Sequence, residues 1–255
     1  MNLAFDGYIL FTTGLILLII AQRTLQKELQ VLLLLLTRSH TFSVSLFSIL
    51  LLPGVIIHEL SHLVMATILG LKVKKISLIP EVVNSGQVRL GYVQTEKSDP
   101  IRDSLVGLAP FISGIFLVGY IAQSKLDLSL LVDAFLIKNV KYFLVYLKSL
   151  PQIQDFSLWV YLAFAISTTM LPSKSDRESW KQTIIFLAFI FLVILVIGLG
   201  GWMTENIYPF LNQTLASIGL VLLAGFMIHV IIILPVWIIK MIALKLTGLQ
   251  VTREP

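Results

Sequence analysis

His58, Glu59 and His62 stand in the order His-Glu-Leu-Ser-His within the apolar run from Phe42 to Gly70. On a helix, residues four apart lie one turn apart on one face. Two imidazoles so placed can reach one zinc ion. Glu59 then sits beside the metal, where its carboxylate can take a proton from a water held there. The alternative is a chance pattern in a hydrophobic helix, and the desolvation that each polar group meets inside a membrane argues against it.

Zinc in a hydrolase usually takes three protein ligands and leaves a fourth position to water. The chain has no cysteine, so the third ligand is sought among carboxylates and histidines. Asp176 is the first choice. It follows Pro172 in the polar turn Pro-Ser-Lys-Ser-Asp, at the end of a span that should run parallel to the metal-bearing one. It also reads as a helix N-cap or first-turn acid, and Glu178 is the first substitute as ligand. Asp103 is explained by its place in a first helical turn, and Glu205 falls on the wrong face. His40 and His229 read as interfacial or packing residues.

These residues need a membrane to sit in. Of 255 residues 57% are hydrophobic and 13% charged, against about 45–50% and about 25% in soluble domains. The expected fold is an α-helical integral membrane protein in one polytopic domain. It has about six transmembrane helices, at roughly 20 residues per span, and a short β-hairpin after the His-Glu-Leu-Ser-His helix. The net charge of +5 suits contact with anionic headgroups of a lipid bilayer better than a nucleic-acid footprint.

Gly7 to Ala21 reads as a retained span rather than a signal peptide. Polar Gln22 to Gln30 either continues it as one tilted helix or lies at the interface. Pro53-Gly54, one turn before His58, predicts a kink or local unwinding. Lys72 to Lys97 reads as two strands around Pro80-Glu81 and Asn84-Ser85-Gly86, with a free edge that could take an extended peptide. Asp99-Pro100 opens a third span to about Ala122. Lys138, Lys141 and Lys148 among Phe135, Tyr142, Phe143 and Tyr146 suit a surface helix. Further spans are expected over Phe156–Leu171, Thr183–Trp202 and Ile207–Ile239, with a basic tail from Lys240 that includes Lys245 and Arg253. The positive-inside rule puts that tail in the cytoplasm. Six alternating spans then put the hairpin lysines 72, 74 and 75 inside, with the histidines near the cytoplasmic leaflet.

With these residues in place, the stretch from Phe42 to Asp176 resembles the site-2 protease family of intramembrane zinc metalloproteases. The resemblance lies in a span carrying His-Glu-Leu-Ser-His, a hairpin-like segment, a second span and a third span ending near a carboxylate. It implies zinc ligation by His58, His62 and Asp176, with Glu59 as general base. It implies a β segment that presents a transmembrane protein or peptide substrate. Residues 177–255 would be additional spans. The chain departs from the family pattern in that Asp176 precedes Arg177 rather than glycine, and no PDZ-like insertion is visible. A different class of function, an inactive relative that binds or retains partner membrane proteins, stands beside the protease reading.

Overall fold

A computed structural model describes residues 6–78, 81–82, 88–128 and 140–247. Helix α1 (Gly7–Thr37) begins at Asp6, whose carboxylate accepts from the Tyr8 N–H, and ends at Arg38 in the left-handed region. The polar stretch from Gln22 to Gln30 lies inside this one helix. Its glutamines, lysine and glutamate are good helix formers, and Gln22, Leu25 and Leu29 turn inward. Ser39 caps α2 (His40–Ile68) by accepting from the Phe42 N–H. The helix passes through Pro53 without the expected unwinding.

The hairpin is longer than two simple strands. β1 (Val73–Ser77) pairs antiparallel with β4 (Tyr92–Thr95), with an irregularity between Val73 and Lys75. Farther out, β2 (Glu81–Val82) pairs with β3 (Val88–Arg89). Pro80 and the Asn84-Ser85-Gly86 turn lie outside the described residues. α3 (Pro100–Tyr120) starts as expected: Asp99 accepts from the N–H groups of Ile101 and Arg102, with a proline at its first position. It continues as a π-helical turn over Ile121–Lys125. Of the basic surface segment, α4 (Val140–Ser149) is a helix, whereas Phe135 and Lys138 lie outside the described residues.

The second half departs most from expectation. α5 (Phe156–Thr169) has 14 residues, about 21 Å at 1.5 Å per residue, short of the roughly 30 Å of a bilayer core. In place of a straight fifth span, α6 (Trp180–Val196) and α7 (Gly200–Asn206) meet at 110°. Gly198, with φ +86°, makes that corner. α8 (Tyr208–Thr247) runs 40 residues through Pro235 and Lys240, so Lys240 and Lys245 belong to a helix rather than a tail. Arg253 lies outside the described residues. Among the described residues four helices (α1, α2, α3 with its π turn, and α8) are long and apolar enough to cross a membrane, or five spans with the bent pair. That is fewer than six, and it fits a largely helical multi-pass membrane protein.

Two parallel helix pairs build the body. α1 and α8 run side by side in the same direction. The Gly7 N–H donates to Asn212 Oδ1 at 2.7 Å, Gly14 packs on Gly219, and Glu28 pairs with Lys240. α2 and α5 do likewise: the Tyr161 hydroxyl donates to the Leu50 carbonyl at 3.0 Å, Gly54 lies on Ala165, and His58 reaches Thr169. α3 runs antiparallel to that second pair, Gly107 meeting Asp176 and Gly114 meeting Met170. Leu18, Leu51, Val118, Phe164 and Leu222 form one apolar cluster through all five helices.

The α1–α8 pairing corrects the expected topology. Six alternating spans would make the last helix antiparallel to the first. Instead Lys240 and Lys245 lie beside the C-terminal half of α1, at the end of the bundle opposite Lys72, Lys74 and Lys75. Basic residues therefore occupy both ends, and the charge rule does not choose a side for the site.

Candidate metal site

His58 and His62 lie ten and six residues before the C-terminal end of α2, about 15 and 9 Å in from that end. Each ring is oriented by a main-chain carbonyl. His58 Nδ1 is 2.7 Å from the Thr169 oxygen and His62 Nδ1 is 2.9 Å from the Val106 oxygen. A carbonyl oxygen only accepts, so both Nδ1 atoms carry their protons and both Nε2 lone pairs are left for a ligand role.

The two carbonyls are available for separate reasons. Thr169 ends α5, so its oxygen has no helical partner. Val106 lies four residues before Pro110, which has no N–H to give it. Proline inside α3 thus leaves one oxygen for His62. Pro110 is visible in the sequence, but residue types alone do not tell which side chain the freed oxygen meets.

Asp176 completes the group. The loop after α5 holds it by its own hydrogen bonds: the Ser173 N–H donates to Asp176 Oδ2 at 2.6 Å and the Asp176 N–H to Ser173 Oγ at 3.3 Å. Arg177 Nε–H donates to the Ser173 carbonyl at 3.1 Å. Gly107 lets this loop lie on α3, because a Cβ there would stand 1.9 Å from the Asp176 carbonyl oxygen.

Three electron-pair donors converge here. His58 Nε2 and His62 Nε2 are 3.2 Å apart. Asp176 Oδ1 is 3.3 Å from His62 Nε2, and Oδ2 is 3.7 Å from His58 Nε2. Two ligand atoms about 2.05 Å from a tetrahedral zinc stand about 3.3 Å from each other, which matches His58–His62 and His62–Asp176, while His58–Asp176 is wider at 3.7 Å. Lone pairs and a carboxylate gathered this closely repel one another unless a cation lies among them. The set is also closely held, with side chains only 14%, 9% and 11% exposed for His58, His62 and Asp176. These three residues could hold a metal ion.

Other sequence candidates lie outside this group of three, although Asp103 and Glu178 line the same cavity. Glu178 points outward and pairs with Lys97 at 3.5 Å, its side chain 74% exposed. Asp103 sits at the start of α3 and accepts from the Ser98 N–H. Glu205 lies on α7, apart from the group. His40 opens α2. His229 is fully buried on α8 and bonded to Thr168.

Glu59 is buried and lines a cavity of about 900 Å³ together with His58, His62 and Asp176. The cavity runs from Gln26, Phe47 and Leu51 inside the bundle to Lys97 and Glu178 at its end. Tyr92, Val93 and Thr95 of β4 form one wall. Gly91 permits that approach, since a Cβ there would lie 2.9 Å from Glu59 Cγ. The loop from Leu171 to Ser179 is non-helical backbone beside the bundle interior, and such backbone is tolerated where it lines a cavity.

No protein-family model, no curated protein and no solved structure matches this chain.

Proposed function

We propose that the chain is an intramembrane zinc metalloprotease, hydrolysing peptide bonds of membrane-embedded or membrane-proximal proteins. One observation carries the reading: two histidine Nε2 atoms and a carboxylate gathered 3.2 to 3.7 Å apart, with a buried glutamate in the same cavity. His58, His62 and Asp176 would hold the zinc, leaving a ligand position open. Bound there, zinc would polarise a substrate carbonyl and acidify water.

The chain's own residues do the rest. The Thr169 and Val106 carbonyls keep both imidazoles in the Nδ1–H form. Glu59 accepts a proton from the attacking water as its oxygen bonds to the scissile carbon. It then passes that proton to the leaving nitrogen as the C–N bond breaks. A helical substrate segment must unwind first, because its carbonyls are shielded by hydrogen bonds. Tyr92, Val93 and Thr95 of β4 line the cavity, and an extended segment would add along this wall as a further strand.

The test is zinc content and cleavage on detergent-purified protein. The wild type should carry close to one zinc per chain and cleave members of a membrane-peptide library. His58→Ala and Asp176→Ala should lose the metal, and Glu178→Ala should keep it. Glu59→Gln should keep zinc and lose cleavage by at least about a hundredfold. Absence of zinc in metal-replete wild type overturns the metal site. Zinc without cleavage, identical in wild type and Glu59→Gln, overturns the protease and favours a partner-binding role.

A further inference from the structure

The last turn of α5 ends inside the bundle, and its unpaired carbonyls find protein donors there. The Met170 N–H takes the Ile166 oxygen at 2.9 Å, and His58 takes that of Thr169. Gln22 of α1 donates its side-chain amide to the Thr168 carbonyl. The Thr168 hydroxyl lies 2.6 Å from the Phe164 carbonyl and 3.1 Å from Nε2 of His229 on α8. His229 Nδ1 in turn donates to the Gly225 carbonyl at 2.8 Å, so its Nε2 is an acceptor and shares the one Thr168 hydroxyl proton with the Phe164 oxygen.

Gln22, Thr168 and His229 are 8%, 3% and 0% exposed. An amide, a hydroxyl and an imidazole gathered inside a membrane bundle carry desolvation costs that apolar residues would avoid. Gln22 and His229 both bond Thr168, the residue next to Thr169, whose carbonyl orients His58. We propose that Gln22, Thr168 and His229 are positioning residues. They fix the end of α5 so that its last carbonyl keeps the His58 ring in its ligand-ready orientation. The inference rests on the metal site proposed above, and it makes α1 and α8 supports of that site rather than flanking spans.

The experiment uses the full chain in detergent with two readouts. Histidine ring-nitrogen NMR on metal-free protein reports the His58 tautomer, and chelator competition reports zinc affinity. Thr168→Val keeps the shape and removes the hydroxyl, Thr168→Ser keeps the hydroxyl, and Gln22→Met removes the amide. Thr168→Val and Gln22→Met should mix the His58 tautomers and weaken zinc binding at least about tenfold. Thr168→Ser should match the wild type. Ser48→Ala, at a buried serine that among the described residues bonds only its own helix at Val44, should leave both readouts unchanged. Wild-type tautomer and affinity in both Thr168→Val and Gln22→Met overturn the proposal, as does equal weakening by Ser48→Ala. Should Gln22→Met fail to fold, the two Thr168 variants decide. If wild type binds no zinc, the metal reading fails and the tautomer comparison alone decides the positioning role.

Discussion

A proline in the interior of a helix removes one N–H donor, and in α3 the carbonyl left over is the one that orients His62. The chemistry of position 110 is therefore separable from its effect on stability. Pro110→Ala would restore a donor for Val106, and alanine is more favourable than proline in a helix by about 3 kcal/mol. Some of that gain is offset by the space left where the buried ring had packed. Once Val106 is bonded within the helix, its oxygen is a poorer partner for His62 Nδ1. Loss of an outer hydrogen bond to a ligating histidine costs about 10–100-fold in metal affinity. The expected result is a protein that unfolds no earlier than wild type in detergent yet binds zinc at least about tenfold more weakly. Unchanged affinity in a chelator competition would mean that Val106 does not orient His62.

At the scale of elements, the distance between the parallel helices α2 and α5 decides whether His58 meets Thr169. Gly54 sets that distance, because a Cβ there would stand 2.1 Å from the Ala165 carbonyl oxygen and 2.6 Å from Thr169 Oγ1. Backbone cannot yield as a side-chain tip does, so Gly54→Ala must push the helices apart. Overpacking of this kind costs about 1–3 kcal/mol, against roughly 1 kcal/mol that alanine returns in helix propensity. Gly54→Ala should lower the detergent unfolding midpoint and weaken zinc binding together. Gly201→Ala on α7, where an added Cβ meets nothing within 4 Å, should do neither. Equal behaviour of the two variants in thermal unfolding would remove close packing as the reason for Gly54. The sequence announced a break at Pro53-Gly54, but the helix runs on and the glycine serves contact instead. Which helix a glycine faces is a long-range fact that periodicity does not carry. The His58–Glu59–His62 spacing, by contrast, is local, and one helical turn suffices to read it. Asp176 was within reach because a polar turn after an apolar run must end near a bundle edge. That Glu178 faces outward depends on the Ser173–Asp176 hydrogen bonds, which residue types alone do not announce.

At the scale of the whole molecule, the parallel pairing of α1 with α8 fixes which chain segments share a side of the membrane. The expected topology had counted six alternating spans from hydropathy. Hydropathy does not register that α5 stops short at the site or that α6 and α7 double back at Gly198. The consequence is sharp for three basic positions. Arg38 follows α1, Lys245 closes α8 beside α1, and Lys72 follows α2, which runs the full depth of the bundle in the opposite sense. Six alternating spans would place Lys245 with Lys72, whereas the observed packing places Lys245 with Arg38. The chain has no cysteine, so Arg38→Cys, Lys72→Cys and Lys245→Cys each create a unique thiol. In sealed membranes of one orientation, an impermeant maleimide should label positions 38 and 245 from one side and 72 from the other. The partly buried Glu28–Lys240 pair adds a stability check on the same packing, since breaking a fully buried pair at one end costs roughly 3–5 kcal/mol and a partly buried one less. Lys240→Met alone should therefore destabilise more than Lys240→Met combined with Glu28→Gln. Labelling of 245 together with 72 would overturn the parallel arrangement. It would also detach His229 from Thr168, and with it the support that α8 lends to the metal site.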